Sequence, residues 1–155
     1  CCSNTRIRLI MTLEEKLKEV FCDNFVAYYR AHSCHFNITG RNFYSDHKLL
    51  QKIYEDSENI QDDLGELIRT LNELAPETIG DILMMADLND TTAYDSDPLT
   101  LLGLVRDGQE HMVNSYKKLN DVAESEGHIE IANFAQDRIR VHNKFIWMIT
   151  ATLEQ

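Results

Sequence analysis

The chain has 155 residues, 43% of them apolar, and its 26 acidic and 15 basic side chains give a formal net charge of -11. This is enough for one domain with a sizeable core, and it excludes collagen-like, disordered and membrane-spanning classes. The acidic balance disfavours an electrostatic clamp on nucleic acid or on an anionic membrane, and it favours cations as partners.

Residues 1–10 differ in character from the rest of the chain and are interpreted as an N-terminal extension, with Met11 as the natural start and residues 11–155 as a single domain. Two alternatives stay open. Arg6 and Arg8 could form a short basic arm that contacts phosphate groups, or a leading cysteine could carry a lipid after removal of a signal segment.

Apolar residues at helical spacing predict a first long helix from Thr12, a candidate N-cap with Glu15 three residues later. We expect this helix to stop near residues 37–40, where Gly40 supplies a left-handed conformation. A second long helix is predicted from about Phe43 to Leu71.

The connection after the second helix is predicted to contain a short helix, with Pro76 in its first turn and its end near Asp87. A third long helix starts at Pro98, after cap residues, and breaks at residues 126–127. The fourth runs from about His128 to Leu153. Four long helices with a short helix in the middle connection predict an all-α, ferritin-like four-helix bundle.

Four cysteines, at positions 1, 2, 22 and 34, form no CxxC motif, which argues against a zinc knuckle or a disulfide framework. Cys22 and Cys34 fall within helical patterns and are interpreted as small buried hydrophobic residues. A reducing compartment and a cytoplasmic location are therefore expected, with no membrane partner.

Two clusters of hard or borderline metal ligands stand out near and along the second helix, namely His35, His47 and Gln51, and then Asp62 and Glu66. His47 and Gln51 are one helical turn apart, as are Asp62 and Glu66, so each pair projects from one helix face.

The length of the second helix limits how these clusters can combine. His47 and Asp62 lie about four turns apart, which is ~22 Å at ~1.5 Å per residue, so one ion cannot contact both. If the clusters form one site, they come from different chains, with two second helices antiparallel across a two-fold axis.

Each candidate also has an ordinary structural interpretation. A carboxylate pair such as Asp62 and Glu66 usually lies on a solvated face, and His35 near a helix end could complement the macrodipole. Other histidines, His32, His111, His128 and His142, are expected to be surface or capping residues. The tyrosines Tyr28, Tyr29 and Tyr54 are expected in the core or an interface rather than in redox relays.

A resemblance strengthens the metal interpretation. The run His35-Phe36-Asn37-Ile38-Thr39-Gly40-Arg41-Asn42-Phe43-Tyr44-Ser45-Asp46-His47 resembles the His-Trp-Asn-Val, Gly, Phe, His signature of the Dps family of mini-ferritins. Asp62-Asp63-Leu64-Gly65-Glu66 falls where that family has an Asp-x-x-Ala-Glu-Arg segment, and the run Phe145-Ile146-Trp147-Met148-Ile149 is similar to its closing helix. The resemblance covers Thr12 to Glu154.

The resemblance implies a homo-oligomer, a hollow dodecamer with ferroxidase sites shared between two-fold-related subunits. Iron, Fe(II), is oxidised there, preferentially by hydrogen peroxide or otherwise by O2, and stored as a ferric mineral, which protects against oxidative damage. His35 and His47 would come from one subunit, and Asp62 and Glu66 from its partner, with Glu66 bridging two irons if a second binds. Other divalent metals stay candidates.

This chain departs from the family pattern at three positions. Gln51 stands where the family usually has aspartate, and a neutral amide is a weaker iron ligand. Phe36 replaces a tryptophan that the family is thought to use as a sacrificial reductant, and Gly65 replaces alanine. The site is expected to be slow, altered in metal preference or only structural, with Asp46 and Gln51 as candidate outer or second-metal groups.

Two further family features are matched poorly. Acidic pores that admit iron would use Glu126 and Glu130, although a solvated acidic helix start explains them equally well. No lysine-rich tail is present, so weak or no DNA binding is expected. Three functions are therefore candidates: a mini-ferritin with ferroxidase activity, a cage or structural protein with a weakened site, and a DNA-coating protein.

Overall fold

The computed structural model describes residues 11–154, so the predicted N-terminal extension, with its basic-arm and lipidation alternatives, lies outside the described residues. The helices in this part of the chain are α1 (Leu13–Asn37), α2 (Phe43–Thr70), α3 (Ile79–Met85), α4 (Pro98–Ser125) and α5 (Ile129–Leu153). Helix α1 packs against α2 and α4, α5 packs against α4, and the short α3 packs against α1. The predicted all-α, ferritin-like bundle is confirmed.

Local capping sets the starts of α1 and α4 where the sequence predicts them. Thr12 accepts from the Glu15 amide while the Glu15 carboxylate accepts from the Thr12 amide, which completes a capping box. Asp97 caps α4, directly before Pro98. The predicted start of α3 is wrong, because Thr78 is the N-cap and Pro76 precedes the helix.

The stop of α1 also differs from its predicted cause. The helix ends at Asn37 and is capped by Ile38 in an extended conformation, so no left-handed residue terminates it. Gly40 does have a φ of +115°, but it serves the turn into α2, where a Cβ atom would lie 2.8 Å from Cγ of Pro98. This close approach fixes the α1–α2 turn against the start of α4.

Two hydrophobic clusters fill the bundle, one toward each end. Cys22 and Cys34 are free thiols buried in it, and burial raises the pKa of Cys22 to about 12 and that of Cys34 to about 11. The interpretation of both as buried small hydrophobic residues is confirmed. Among the helices of residues 11–154, none is long and apolar enough to cross a lipid bilayer.

A buried polar network lies between these clusters and corrects the expectation for His142. Its Nδ1–H donates to Oε1 of Gln109 (2.6 Å) and its Nε2 accepts from Arg138 (3.1 Å). Arg138 also binds Asp56 of α2 through both terminal nitrogens. His142 is fully buried, and burial holds its pKa well below the usual value, with the Arg138 charge acting in the same direction.

A second polar network joins the segment between α3 and α4 to the bundle. It includes His111 and so corrects the expectation that His111 is a surface or capping residue. Asp23 is fully buried in α1 and accepts from the backbone amides of Asp87 and Leu88, both at 2.8 Å. His111 and Ser115 of α4 approach its other carboxylate oxygen at 3.0 and 3.2 Å. Asp23 therefore anchors the segment after α3 to the α1–α4 pair.

Candidate metal centre

The turn between α1 and α2 brings His35 and His47 together. His35 lies in the last turn of α1, and His47 in the second turn of α2. Between them, Ile38 is buried and Thr39 binds the Ser96 carbonyl through both its amide and its hydroxyl. This anchored turn holds the ends of the two helices side by side.

The two imidazoles form a reciprocal pair. Nδ1 of His35 lies 2.8 Å from the carbonyl oxygen of His47, and Nδ1 of His47 lies 2.8 Å from that of His35. The rings stack with centroids 3.6 Å apart and an interplanar angle of 17°. The His35 carbonyl belongs to the last turn of α1, where helical partners run out, so His47 also caps that helix.

This pairing fixes the tautomer of both rings. A carbonyl oxygen can only accept, so each Nδ1 carries a proton, and in the neutral form of each ring Nε2 keeps its lone pair. Burial lowers the pKa of His35, and the positive charge of Lys48 contributes in the same direction, while the bond to the His47 carbonyl opposes them. Because both imidazoles donate through Nδ1, Nε2 of each ring is the candidate nitrogen ligand for a divalent metal.

The other candidate ligands cluster in the C-terminal half of α2. Oxygen atoms of Asp62, Asp63 and Glu66 lie within 4.8 Å of one another, and all three residues are exposed. Asp63 is not among the candidate ligands named from the sequence, although its spacing of one turn from Glu66 was visible. The three carboxylates form a hard-ligand set suited to iron and other hard cations.

Two of these carboxylates, Asp62 and Glu66, border an open groove between α1 and α2 with a volume of about 670 Å³. Phe21 of α1 forms an apolar wall of this groove. Gly65 of α2 also lines it, and a Cβ atom at that position would lie 3.5 Å from Cε2 of Phe21.

Gln51 is engaged within its own helix. Its Oε1 accepts from Nζ of Lys48 (3.1 Å), and its Nε2 donates to Oε1 of Glu55 (2.7 Å). The only amide atom that could bind a metal is thus already shared with an ammonium group. The histidine pair at the α1–α2 turn therefore offers two candidate nitrogen ligands, and position 51 adds no anionic ligand to them.

The structure places Asp46 elsewhere and brings His32 and Tyr54 to the histidines instead. Asp46 lines a groove with Pro98 and Leu153, and burial raises its pKa. The His32 ring stacks on Tyr54, with centroids 3.9 Å apart, and Tyr54 meets His35 edge-on at 5.0 Å. The spacing of His32, one turn before His35, was the available signal for its position.

The two candidate pore residues have local partners. Glu126 accepts from the backbone amide of Leu13 at 2.9 Å, which caps the start of α1. Glu130 lies 3.1 Å from Nδ1 of His128, and its pKa is lowered by a backbone hydrogen bond and by His128. A role for either residue in a pore stays a prediction.

Comparison with known proteins supplies the family. The family model of the ferritin-like domain matches residues 14–155. The DNA protection during starvation protein of Helicobacter pylori is 27% identical over 139 residues, which is 90% of this chain and 96% of that protein. The chain belongs to the Dps family of ferritin-like proteins.

Solved structures agree with this Dps assignment. Helicobacter cinaedi CAIP is 28% identical, with a TM-score of 0.85 over 92% of this chain and 99% of that one. A Dps protein from Vibrio cholerae O1, described as a member of a broad superfamily of ferritin-like diiron-carboxylate proteins, gives a TM-score of 0.85 over 98% and 99% of the two chains. At 23% identity, the second likeness speaks for the fold.

Proposed function

We propose that this Dps-family chain oxidises Fe(II), with hydrogen peroxide as the oxidant, and stores the ferric product inside a hollow dodecamer. The observation that carries the proposal is the reciprocal His35–His47 pair, in which both Nδ1 atoms are engaged by backbone carbonyls and each Nε2 is the candidate ligand atom. Iron is the cargo of this reaction, and its removal from solution limits hydroxyl-radical formation.

The complete site is shared between subunits. The histidine pair and the carboxylate cluster lie ~22 Å apart along α2, so one chain supplies half of each of two sites. Antiparallel α2 helices across a two-fold axis would bring the histidines of one subunit against the carboxylates of its partner. Neutral imidazoles bind Fe(II), and the anionic oxygens of Asp62 and Glu66 stabilise the higher charge of Fe(III).

The direct test is anaerobic Fe(II) titration followed by peroxide, with ferric absorbance recorded for wild type and for the His35→Ala/His47→Ala double variant. We expect rapid oxidation in wild type and the rate of buffer alone in the double variant. Oxidation in wild type no faster than in buffer would remove the ferroxidase assignment.

A mixing experiment tests whether the site is shared. The double histidine variant and an Asp62→Asn/Glu66→Gln variant would each be inactive alone. Co-expressed, random pairing makes half of the dimers hybrid, and each hybrid has one intact site, so roughly a quarter of the wild-type activity should return. No recovery in hybrid particles of the correct size would contradict a shared site.

Gln51 favours a second candidate, a cage that has lost efficient oxidation. Its amide is held by Lys48 and Glu55, and it contributes no negative charge to the histidine half. In that case, wild type would assemble and bind Fe(II) but oxidise it no faster than buffer.

A further inference from the structure

A ladder of rings leads away from the histidine pair along the seam of α1 and α2. Tyr54 meets His35 edge-on at 5.0 Å, and it also stacks on His32 at 3.9 Å with an interplanar angle of 12°. His32 in turn lies 5.5 Å from the ring of Tyr28. The ladder His35–Tyr54–His32–Tyr28 is therefore continuous, with no step longer than a ring contact.

The far end of the ladder is a phenol paired with a base. Oη of Tyr28 lies 3.0 Å from Nδ1 of His32. Burial, with a further contribution from Glu58, raises the pKa of Tyr28, so the phenol keeps its proton at neutral pH. A protonated phenol loses an electron easily only when its proton has an acceptor, and His32 supplies one at hydrogen-bond distance.

We propose that Tyr28, with His32 as its proton acceptor and Tyr54 as the intermediate ring, donates one electron to the iron site during peroxide reduction. This inference rests on the proposed ferroxidase function. It departs from the expectation that Tyr28 and Tyr54 are only core or interface residues.

The electron balance gives the relay its use. Hydrogen peroxide takes two electrons and two protons when its O–O bond breaks to give two waters, whereas one Fe(II) ion gives a single electron and becomes Fe(III). Tyr28 supplies the second electron and becomes a tyrosyl radical, and its phenolic proton moves to Nδ1 of His32, which becomes an imidazolium. The two protons consumed by peroxide come from solvent, and no hydroxyl radical is released.

The test loads the assembled protein anaerobically with one Fe(II) per site and adds one equivalent of peroxide. Each freeze-quenched sample is measured twice, by ferric absorbance and by electron paramagnetic resonance of organic radicals. The variants are Tyr28→Phe and Tyr54→Phe, which keep their rings, and His32→Gln, which removes the imidazole base. Tyr29→Phe is the matched control, because Tyr29 is adjacent and 6.5 Å from the Tyr28 ring but 56% exposed and outside the ladder.

Isotope labelling identifies the radical. Tryptophan is the other residue type that forms a stable ring radical, and the chain has one, Trp147, which is 65% exposed on α5. Ring-deuterated tyrosine would narrow the signal of a tyrosyl radical and leave that of a tryptophanyl radical unchanged.

We expect a tyrosyl signal in wild type and in Tyr29→Phe, its loss in Tyr28→Phe, and a clear decrease in Tyr54→Phe and His32→Gln, with ferric absorbance still formed. Ferric absorbance without a tyrosyl radical in wild type, or a signal unchanged in Tyr28→Phe, would overturn the relay alone. No ferric absorbance in wild type would overturn the ferroxidase proposal, and the relay with it.

Discussion

The candidate metal ligands in the two halves of α2 differ in how the fold holds them. In the N-terminal half, His47 is half-buried, stacked on His35 and bonded to its carbonyl. In the C-terminal half, Asp62 and Glu66 are exposed and form no hydrogen bond with the rest of residues 11–154. The fold therefore holds the histidine pair in place, whereas the carboxylates of the C-terminal half face solvent.

This difference separates stability from function. Removing His35 or His47 takes away both a candidate ligand and a hydrogen bond of the fold, whereas removing Asp62 or Glu66 takes away only a candidate ligand. Because like charges one helical turn apart repel, the carboxylate cluster is a small cost to the isolated helix.

The first prediction, with the largest expected effects, compares His47→Ala with Glu66→Ala. Both variants should oxidise Fe(II) no faster than buffer. His47→Ala should also lower the free energy of unfolding by about 1–3 kcal/mol, because the His35 carbonyl loses the Nδ1–H donor of His47 and the His35 ring loses the ring stacked on it. Glu66→Ala should leave stability unchanged or slightly raised. Peroxide-driven ferric absorbance and urea unfolding measure the two quantities.

Equal loss of stability in both variants would show that the carboxylate half is also part of the folded framework. In that case, the distinction between the two halves of α2 would fail even if both variants were inactive.

The second prediction concerns the middle of α2, where Asp56 joins the buried network of Arg138 and His142. Burial holds the pKa of His142 well below its value in the unfolded chain, which is about 6.5. Below that pH the unfolded chain takes up a proton that folded His142 cannot, so stability falls as the pH decreases. This residue contributes a slope of up to about 1.4 kcal/mol per pH unit, and no slope above pH ~7.

Urea unfolding measures this slope in wild type and in His142→Gln. The measurements cover about pH 5 to 8, a range that includes the pKa of a free histidine. We expect the variant to lose part of the acid-side slope. His128→Gln, which changes a histidine at the surface, is the control and should keep it. An unchanged slope in His142→Gln would assign the acid sensitivity to other groups.

Local signals explain which parts of this structure the sequence predicts. The capping box at Thr12 and the Asp97–Pro98 start depend on neighbouring residues, so both are readable from the chain. The His142 network joins α2, α4 and α5, and only the packed bundle shows which polar side chains meet. The start of α3 is mispredicted because proline and threonine both mark helix starts, and their competition is decided by local geometry.

The candidate site divides in the same way. Helical spacing pairs Asp62 with Glu66, and helix length separates them from the histidines. The reciprocal bonds of His35 and His47 depend on the exact path of the α1–α2 turn, which Gly40 and Pro98 set. The position of His32 between Phe36 and Tyr54 also follows from that packing.

The third prediction adds a negative charge to the N-terminal half of α2, beside His47. Gln51→Asp places a carboxylate one turn after His47, where it can supply an anionic oxygen. We expect about tenfold tighter Fe(II) binding, equivalent to ~1.4 kcal/mol of added attraction. Gln136→Asp adds the same charge on the exposed face of α5 and should leave the affinity unchanged. Anaerobic calorimetric titration distinguishes them, and equal gains in both would indicate a general effect of net charge.

The smallest expected effect tests how freely the carboxylate half tolerates change. In Gly65→Ala, the added Cβ would lie 3.5 Å from Cε2 of Phe21, an ordinary contact, so stability should rise by about 0.5–1 kcal/mol through helix propensity. Gly108→Ala is the matched control, because its Cβ would lie 3.2 Å from Nη1 of Arg30. The Arg30 side chain is buried, and its Nη2 donates to the Asn89 carbonyl. That variant should gain less or lose stability in urea unfolding. A loss of stability in Gly65→Ala would mean that the groove beside Phe21 does not accommodate even one added methyl group.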